Sequence, residues 1–439
     1  MPQADLIIIG GGPGGYETAA EAAAKGLKVI LFERDRLGGT CLNRGCIPTK
    51  CLCASAKRLN DIRHADMLGI AVSEASVDFT SVRKRLVEIT DTLREGVANV
   101  LKDVEVIKAE ASLAPGPAVV ADGIVYNAPE IIIATGSRPA NLRIDGGETA
   151  LSSDDVLALE TIPESMVIIG GGVIGLEFAS VFSSFGSKIT VVEYCKEILP
   201  GFDRDIAKRL RSYLSRHGID FVTGAEVQAV ENGKRVRYLH KGKEKSMEAE
   251  CVVSAVGRRP VVPDGLEATG IATDSRGFIV TDDRFRTTAP GVYAIGDVNG
   301  RGMLAHAASA QGRTVLGENV GLGIMPAVVF TDPECASVGI TSEKADEIGR
   351  EYITVKLPYG SNGKALASGE SDGIIKLIVD KESGLIAGCH CLGAHAADLI
   401  AEASTAMNAG ITARRLASEF VHAHPTLSEL LASASAIAR

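Results

Sequence analysis

Several absences bound what this chain of 439 residues can be. It has no long apolar run: stretches such as 6–9, 131–134 and 167–169 are far shorter than the roughly 20 residues a membrane span needs. They read instead as buried strands of parallel sheets. It has no positive excess either. Lys and Arg number 46 against 55 Asp and Glu, the net charge is −9, and no basic run interrupts that balance, which argues against a nucleic-acid partner. The start lacks the basic residues of a secretory leader, Asp5 interrupts its apolar stretch and glycines follow at once, so a cytoplasmic protein is expected. The nine cysteines are an odd count without regular spacing, which does not suit a disulfide-stapled secreted domain. Most of them should be small buried hydrophobes. No metal is expected. Cys389-His390-Cys391 is the one tempting cluster, but alternation on a strand puts only its two sulfurs on one face, and no further ligands lie nearby in sequence.

What is present is a diverged internal repeat. Two apolar strands each run into GxGxxG, at Gly10, Gly12 and Gly15 and again at Gly170, Gly172 and Gly175. Each opens a helical pattern and is followed by a second strand ending in an acid, Glu33 and Glu193, 23 residues beyond the first glycine in both cases. One GxGxxG is weak evidence, but two complete strand–turn–helix–strand–acid units at equal spacing predict two dinucleotide-binding domains. The first glycine makes the tight turn, the second lets backbone approach pyrophosphate, and the third lets the helix pack on the strand. The helix N-terminus holds the phosphates and the carboxylate accepts from a ribose diol.

Between the units, a charged helical stretch over about 78–101 leads to short strands and to ATGSRP at 134–139; the segment at 251–260 ends in GRRP and echoes it. Gly291 to Asp297 reads as a buried strand ending in Gly-Asp. From about Pro326 the pattern changes to antiparallel strands, two Ala-rich helices and a terminal His-Pro segment, which predicts a third, non-nucleotide domain. With 439 residues and 46% hydrophobic content, two to four domains are expected.

A cysteine pair, Cys41 and Cys46, follows the first unit within GGTCLNRGCIPTK at 38–50. Alone it could be a metal site, a structural bridge or coincidence; just after a nucleotide-binding unit it suggests a thiol couple set against a redox cofactor. An ideal helix holds residues five apart too far from each other for an S–S bond, so this segment should be distorted, with Gly45 and Pro48 favouring a tight helix start. Placement at a helix N-terminus would favour a thiolate. Lys50 lies one turn past Cys46 on the same face. Near the C-terminus, His424 is an imidazole suited to carry a proton near neutral pH. Glu429 has two readings: it could orient His424, or complete a capping box with Thr426.

Taken together and in this order, the segments at 38–50, 134–139, 295–297, 303–306 and 422–429 resemble the FAD-dependent pyridine nucleotide–disulfide oxidoreductases over essentially the whole chain, nearest to the dihydrolipoamide dehydrogenase branch. The resemblance implies an α/β fold: two Rossmann-like dinucleotide-binding domains, for FAD and NAD, plus a C-terminal α+β dimerisation domain. The implied ranges are 1–142 and 263–325 for FAD, 143–262 for NAD and 326–439 for the dimer. It implies FAD contacts from Gly10, Gly12, Gly15, Glu33, Thr40, Lys50, Thr135, Gly136, Asp297 and Ala305, with Glu33 on the adenosine ribose and Asp297 facing the ribityl chain. NAD contacts are implied for Gly170, Gly172, Val173, Gly175, Glu193 and Gly257. Cys46 is implied as the sulfur touching the flavin and Cys41 as the interchange thiol of a redox disulfide. Lys50 should stand near flavin N5, paired with Glu177, and His424 with Glu429 should act across the dimer interface on the partner's Cys41. His424–Pro425 is a cis candidate.

NAD is preferred over NADP, because Glu193 would repel a 2′-phosphate and Tyr194 and Pro200 stand where NADP-using relatives place arginines. Val173, in place of a tyrosine gate, again favours the lipoamide branch. The implied partners are a second copy of the chain and dihydrolipoamide, or the lipoyl domain of a 2-oxoacid dehydrogenase or glycine cleavage complex. The alternatives are an NADH-dependent reductase of another small disulfide, or a redox-sensing or docking flavoprotein with little turnover. A mercuric reductase is disfavoured because the tail at 432–439 lacks a Cys pair. Two departures from the family pattern bear on substrate: Arg44 replaces an apolar residue and could lower a thiol pKa or alter substrate access, and 307–311 lacks the usual charges. Cys51 and Cys53 read as packing residues, and His306 as a helix-start residue serving structure or flavin contact.

Overall fold

A computed structural model describes residues 3–438, which divide into two compact units. Of these, the first unit gathers residues 3–51, 83–140 and 257–322; the second gathers 52–82, 141–256 and 323–438.

In the first unit a five-stranded sheet has the order Val292–Ala294, Glu130–Ile133, Leu6–Ile9, Val29–Phe32, Glu105–Ile107, and every pairing is parallel. Leu6–Ile9 is buried at all four positions, as a parallel strand covered on both faces must be. Chain direction across the sheet reverses beside this strand, because the next strand in sequence lies on one side of it and the later ones on the other. Such a switch point opens a crevice at the strands' carboxyl ends, and the first glycine turn lies there. The helix Pro13–Ala24 packs against Ala305–Val315.

The second unit repeats the pattern. Its parallel sheet runs Ile219–Thr223, Lys188–Glu193, Ser165–Ile169, Cys251–Ser254, so Ser165–Ile169 again stands at the switch point, followed by the second glycine turn. The unit also holds a three-stranded antiparallel sheet, Ala225–Glu231, Arg235–His240 and Lys243–Glu248, and a five-stranded antiparallel sheet in the order Ala327–Val329, Glu334–Gly339, Ile386–Gly393, Ile374–Asp380, Tyr352–Pro358, with helices Ala396–Asn408 and Glu429–Ile437 packed on the latter. The charged stretch expected over 78–101 is the helix Phe79–Val100.

Cys389, His390 and Cys391 are buried in strand Ile386–Gly393, with the two sulfurs 4.0 Å apart. His390 is turned away from them: its Nδ1 meets Ser337 Oγ at 2.7 Å and its Nε2 the Ile340 carbonyl at 2.9 Å.

Candidate active site

Two matching cradles dominate the nucleotide-binding portions. Gly10 has a φ of +110°, and a Cβ there would lie 2.4 Å from the Ala134 carbonyl oxygen. A Cβ on Gly15 would lie 1.8 Å from the Gly10 carbonyl, so only glycine lets this helix start so close to its strand. The helix begins after Gly12 with no side-chain cap and with Pro13 in its first turn, so its leading N–H groups remain available to an anion. Glu33 closes the cradle: its Oε2 accepts the Gly11 N–H at 2.7 Å and its Oε1 the Asp35 N–H at 2.8 Å. The second unit reproduces each feature. Gly170 has φ +111°, Gly175 meets the Gly170 carbonyl, Val173 opens an uncapped helix after Gly172, and Glu193 accepts N–H groups of Gly171 and Cys195, both at 2.6 Å. The donors fix each carboxylate in place and leave it lone pairs for a ribose diol. A dinucleotide therefore fits both cradles.

Around the first cradle, the Thr135 hydroxyl donates to the Val261 carbonyl, and the Val261 N–H returns to Gly136 O at 2.9 Å. Asp297, in the turn Gly296–Asn299, accepts from the Ser137 hydroxyl. Arg258 Nε donates to Ser137 Oγ at 2.7 Å and stands 3.9 Å from Asp297 Oδ2. Gln311 Oε1 accepts the Gly296 N–H and Asn299 Nδ2–H, each at 2.8 Å, and so braces the same turn. Sequence reasoning missed Ser137, Arg258 and Gln311. The available signal was the echo between the segments ending in GSRP and GRRP, whose strands Ser137–Pro139 and Arg258–Pro260 pair with each other; Gln311 carried none. Ala305 opens the helix Ala305–Val315, with His306 second, and the Gly257 carbonyl accepts the Ala140 N–H at 2.9 Å within the first unit.

The cysteines sit on a broken helix. Thr40 and Cys41 lie in the short helix Gly39–Arg44, Gly45 interrupts it at φ −154° and ψ −110°, and Cys46 opens the helix Cys46–Arg63. Thr49 fastens the break by giving both its N–H, at 3.0 Å, and its hydroxyl, at 2.7 Å, to the Gly45 carbonyl. All nine cysteines are thiols here, and Cys41 and Cys46 are hydrogen-bonded to each other. That bond and burial push the Cys41 thiol far above its ordinary pKa, while the Lys50 ammonium pulls it down. The Arg44 guanidinium reaches Asp35 at 2.8 Å.

In the second unit Glu177 is buried, and its Oε1 accepts the Phe330 N–H at 3.0 Å. His424 Nδ1 lies 3.0 Å from Glu429 Oε1, while Glu429 Oε2 accepts the Thr426 N–H at 2.9 Å. The two readings of Glu429 thus coexist, one on each oxygen. The reciprocal half of a capping box is missing, because the Thr426 hydroxyl turns back to the Ala423 carbonyl at 2.8 Å. The Thr426 amide and His424 hold the Glu429 carboxyl below the usual range, so it is an anion at neutral pH. A carboxylate can only accept, so Nδ1 carries the proton and Nε2 is left as the base. The His424 side chain is 81% exposed in the single chain, and its bond to Pro425 is cis.

Comparison with known proteins places these features. Residues 4–312 match the family described as pyridine nucleotide-disulphide oxidoreductase, and 325–435 match the dimerisation domain of the same family. A dihydrolipoyl dehydrogenase of Bacillus subtilis is 40% identical over 454 aligned positions, covering 99% of this chain and 96% of that protein. Those of Geobacillus stearothermophilus and Chlamydia muridarum are 39% and 40% identical with the same coverage. Among solved structures, the HOCl-induced flavoprotein disulfide reductase RclA from Escherichia coli superposes with a TM-score of 0.87 at 29% identity, covering 99% of this chain and 100% of that one.

Proposed function

The chain belongs to the pyridine nucleotide–disulphide oxidoreductases, and on that footing we propose that it oxidises dihydrolipoamide to lipoamide with NAD⁺, through FAD and the Cys41–Cys46 pair. The observation that carries the proposal is the pair itself: two mutually hydrogen-bonded thiols at a helix break, in a chain about 40% identical to dihydrolipoyl dehydrogenases over nearly its whole length.

The cofactors are FAD and NAD. Gly10, Gly12, Gly15, Glu33, Thr40, Lys50, Thr135, Gly136, Asp297 and Ala305 would hold FAD; Gly170, Gly172, Val173, Gly175, Glu193 and Gly257 would hold NAD. In the proposed division, 1–142 with 263–325 serves FAD, 143–262 serves NAD and 326–439 pairs the subunits. When bound, FAD takes the electron pair from the cysteines and delivers it to NAD⁺ as hydride. The protein's own residues do the rest. His424 Nε2 removes a proton from one substrate thiol, and the resulting thiolate attacks Cys41 Sγ in the bridged form. The Cys41–Cys46 bond breaks, leaving a mixed disulfide at Cys41 and a thiolate at Cys46. The second substrate thiol then displaces Cys41, closing the substrate's ring and leaving the pair reduced by two electrons. Glu429 keeps the imidazole in the required tautomer and balances its cation. Lys50, with Glu177 as the proposed partner of its ammonium, offsets negative charge beside the cysteines and flavin.

The dimerisation domain makes a homodimer the working unit, and in the proposal His424 of one subunit serves the partner's Cys41, which accounts for its exposure in a single chain. The macromolecular partner is then the lipoyl domain of a 2-oxoacid dehydrogenase or glycine cleavage complex. No described helix is long and apolar enough to cross a membrane, and a cytoplasmic location is part of the proposal. The likeness to the E. coli disulfide reductase favours one second reading, reduction of another small disulfide by NADH, which a panel of disulfides separates from the first. Cys46→Ser tests the pair directly. The variant should keep its flavin absorbance and lose turnover with dihydrolipoamide; retained turnover in a flavin-loaded variant contradicts the assignment.

A further inference from the structure

Within a single chain, few hydrogen bonds hold the residues that carry His424. Residues 421–425 belong to no helix or strand, and Val421 is fully exposed. Three hydrogen bonds hold them: His422 Nε2 to Glu402 Oε1 at 2.6 Å, the Thr426 hydroxyl to Ala423 O at 2.8 Å, and His424 Nδ1 to Glu429 Oε1 at 3.0 Å. The last two are internal to the turn. The first ties His422 to a distant element, because Glu402 lies in the helix Ala396–Asn408, which packs on the antiparallel sheet. It is also sheltered: the His422 side chain is 11% exposed, against 81% for His424.

We propose that Glu402 and His422 are positioning residues for His424, a second His–carboxylate pair whose task is to aim the first. The proposal rests on the assignment of His424 as the acid–base. His422 needs no contact with substrate for this. Its bond fixes the backbone two residues upstream, and Asn362 Nδ2 fixes it two residues downstream by donating to the Thr426 carbonyl at 2.9 Å. Between those anchors the direction of Nε2 is set by Glu429. Without the upstream anchor, the chain can rotate about 422 and 423, and the imidazole exchanges its Glu429 partner for water.

The test is a double-mutant cycle on flavin-loaded dimers: wild type, Glu402→Ala, His424→Gln and the double variant, with Glu402→Gln as the conservative control. NADH formation from dihydrolipoamide is measured beside NADH oxidation by ferricyanide, which needs no dithiol exchange. Glu402→Ala should lower kcat for the dithiol by about tenfold, the cost expected of a misaimed base. KM for NAD⁺ and the ferricyanide rate should not change. Glu402→Gln, whose amide oxygen still accepts from Nε2–H, should recover most of the rate, and Glu402→Ala should add nothing to His424→Gln. A wild-type rate in Glu402→Ala overturns the inference, as does an equal loss on both backgrounds or in both assays. A fully active His424→Gln would instead refute the acid–base assignment underneath it. If Glu402→Ala does not accumulate as a flavin-loaded dimer, His422→Gln takes its place in the same cycle, with the same outcomes.

Discussion

At the scale of single residues, the site is organised by where protons are held. The bond to Cys46 and burial push the Cys41 thiol up, against the pull of Lys50. The proton therefore has to be managed from outside, and His424 is equipped for it: Glu429, held as an anion, claims Nδ1–H and frees Nε2. His424→Gln removes that base. Turnover of the variant should fall by about two to four orders of magnitude at neutral pH. What remains should rise steadily with pH, as the substrate thiols ionise unaided. A variant profile parallel to that of wild type would contradict the role. These residues were legible in the sequence because each belongs to a compact motif with fixed spacing. Glu402 and His422 were not: a His and a Glu 20 positions apart, one on a helix and one in an irregular segment, share no period that sequence can display.

At the scale of elements, the repeat was legible for a physical reason. A turn that brings a carbonyl within 2.4 Å of a would-be Cβ tolerates only glycine, and the ribose acid must come at the end of the adjacent strand. The contact between the second nucleotide-binding sheet's helix Arg204–Arg216 and the C-terminal antiparallel sheet left no such trace. It is an ion pair across 173 residues: Lys376 Nζ lies 2.8 Å from both oxygens of Asp203, with Lys376 1% and Asp203 0% exposed. Asp203 also caps that helix at Asp205 N–H and accepts the Ser342 N–H, both at 3.1 Å. Breaking a buried pair strands a charge, so Lys376→Met should cost about 3–5 kcal/mol, read as a lower Tm. The double variant Lys376→Met/Asp203→Asn should recover most of that loss, since Asn is also a good N-cap. A single variant with unchanged Tm would contradict this account. Burial alone would raise the pKa of Asp203, but the bonds from Lys376 and Ser342 bring it below the usual value, and Lys356 with Lys376 takes Asp205 to about 2. Both folded values lie below the unfolded one of about 3.9. Their stabilisation is therefore complete above about pH 4 and is lost as pH falls toward 2. Acid titration of Tm checks this sign.

At the scale of the whole molecule, two dinucleotide cradles, a thiol pair and a dimerisation domain in one chain suit the electron path proposed above. The family, the fold class and the cofactors were legible in the sequence because the motifs come in a fixed order along it. The Arg44–Asp35 ion pair was not legible, because nothing in sequence spacing shows which carboxylate a guanidinium will reach. The central claim is tested most directly by NADH formation from dihydrolipoamide and NAD⁺, using purified dimer whose flavin content is measured beforehand. The account predicts fast turnover in proportion to bound FAD. A fully flavin-loaded dimer that forms no NADH under these conditions would contradict it.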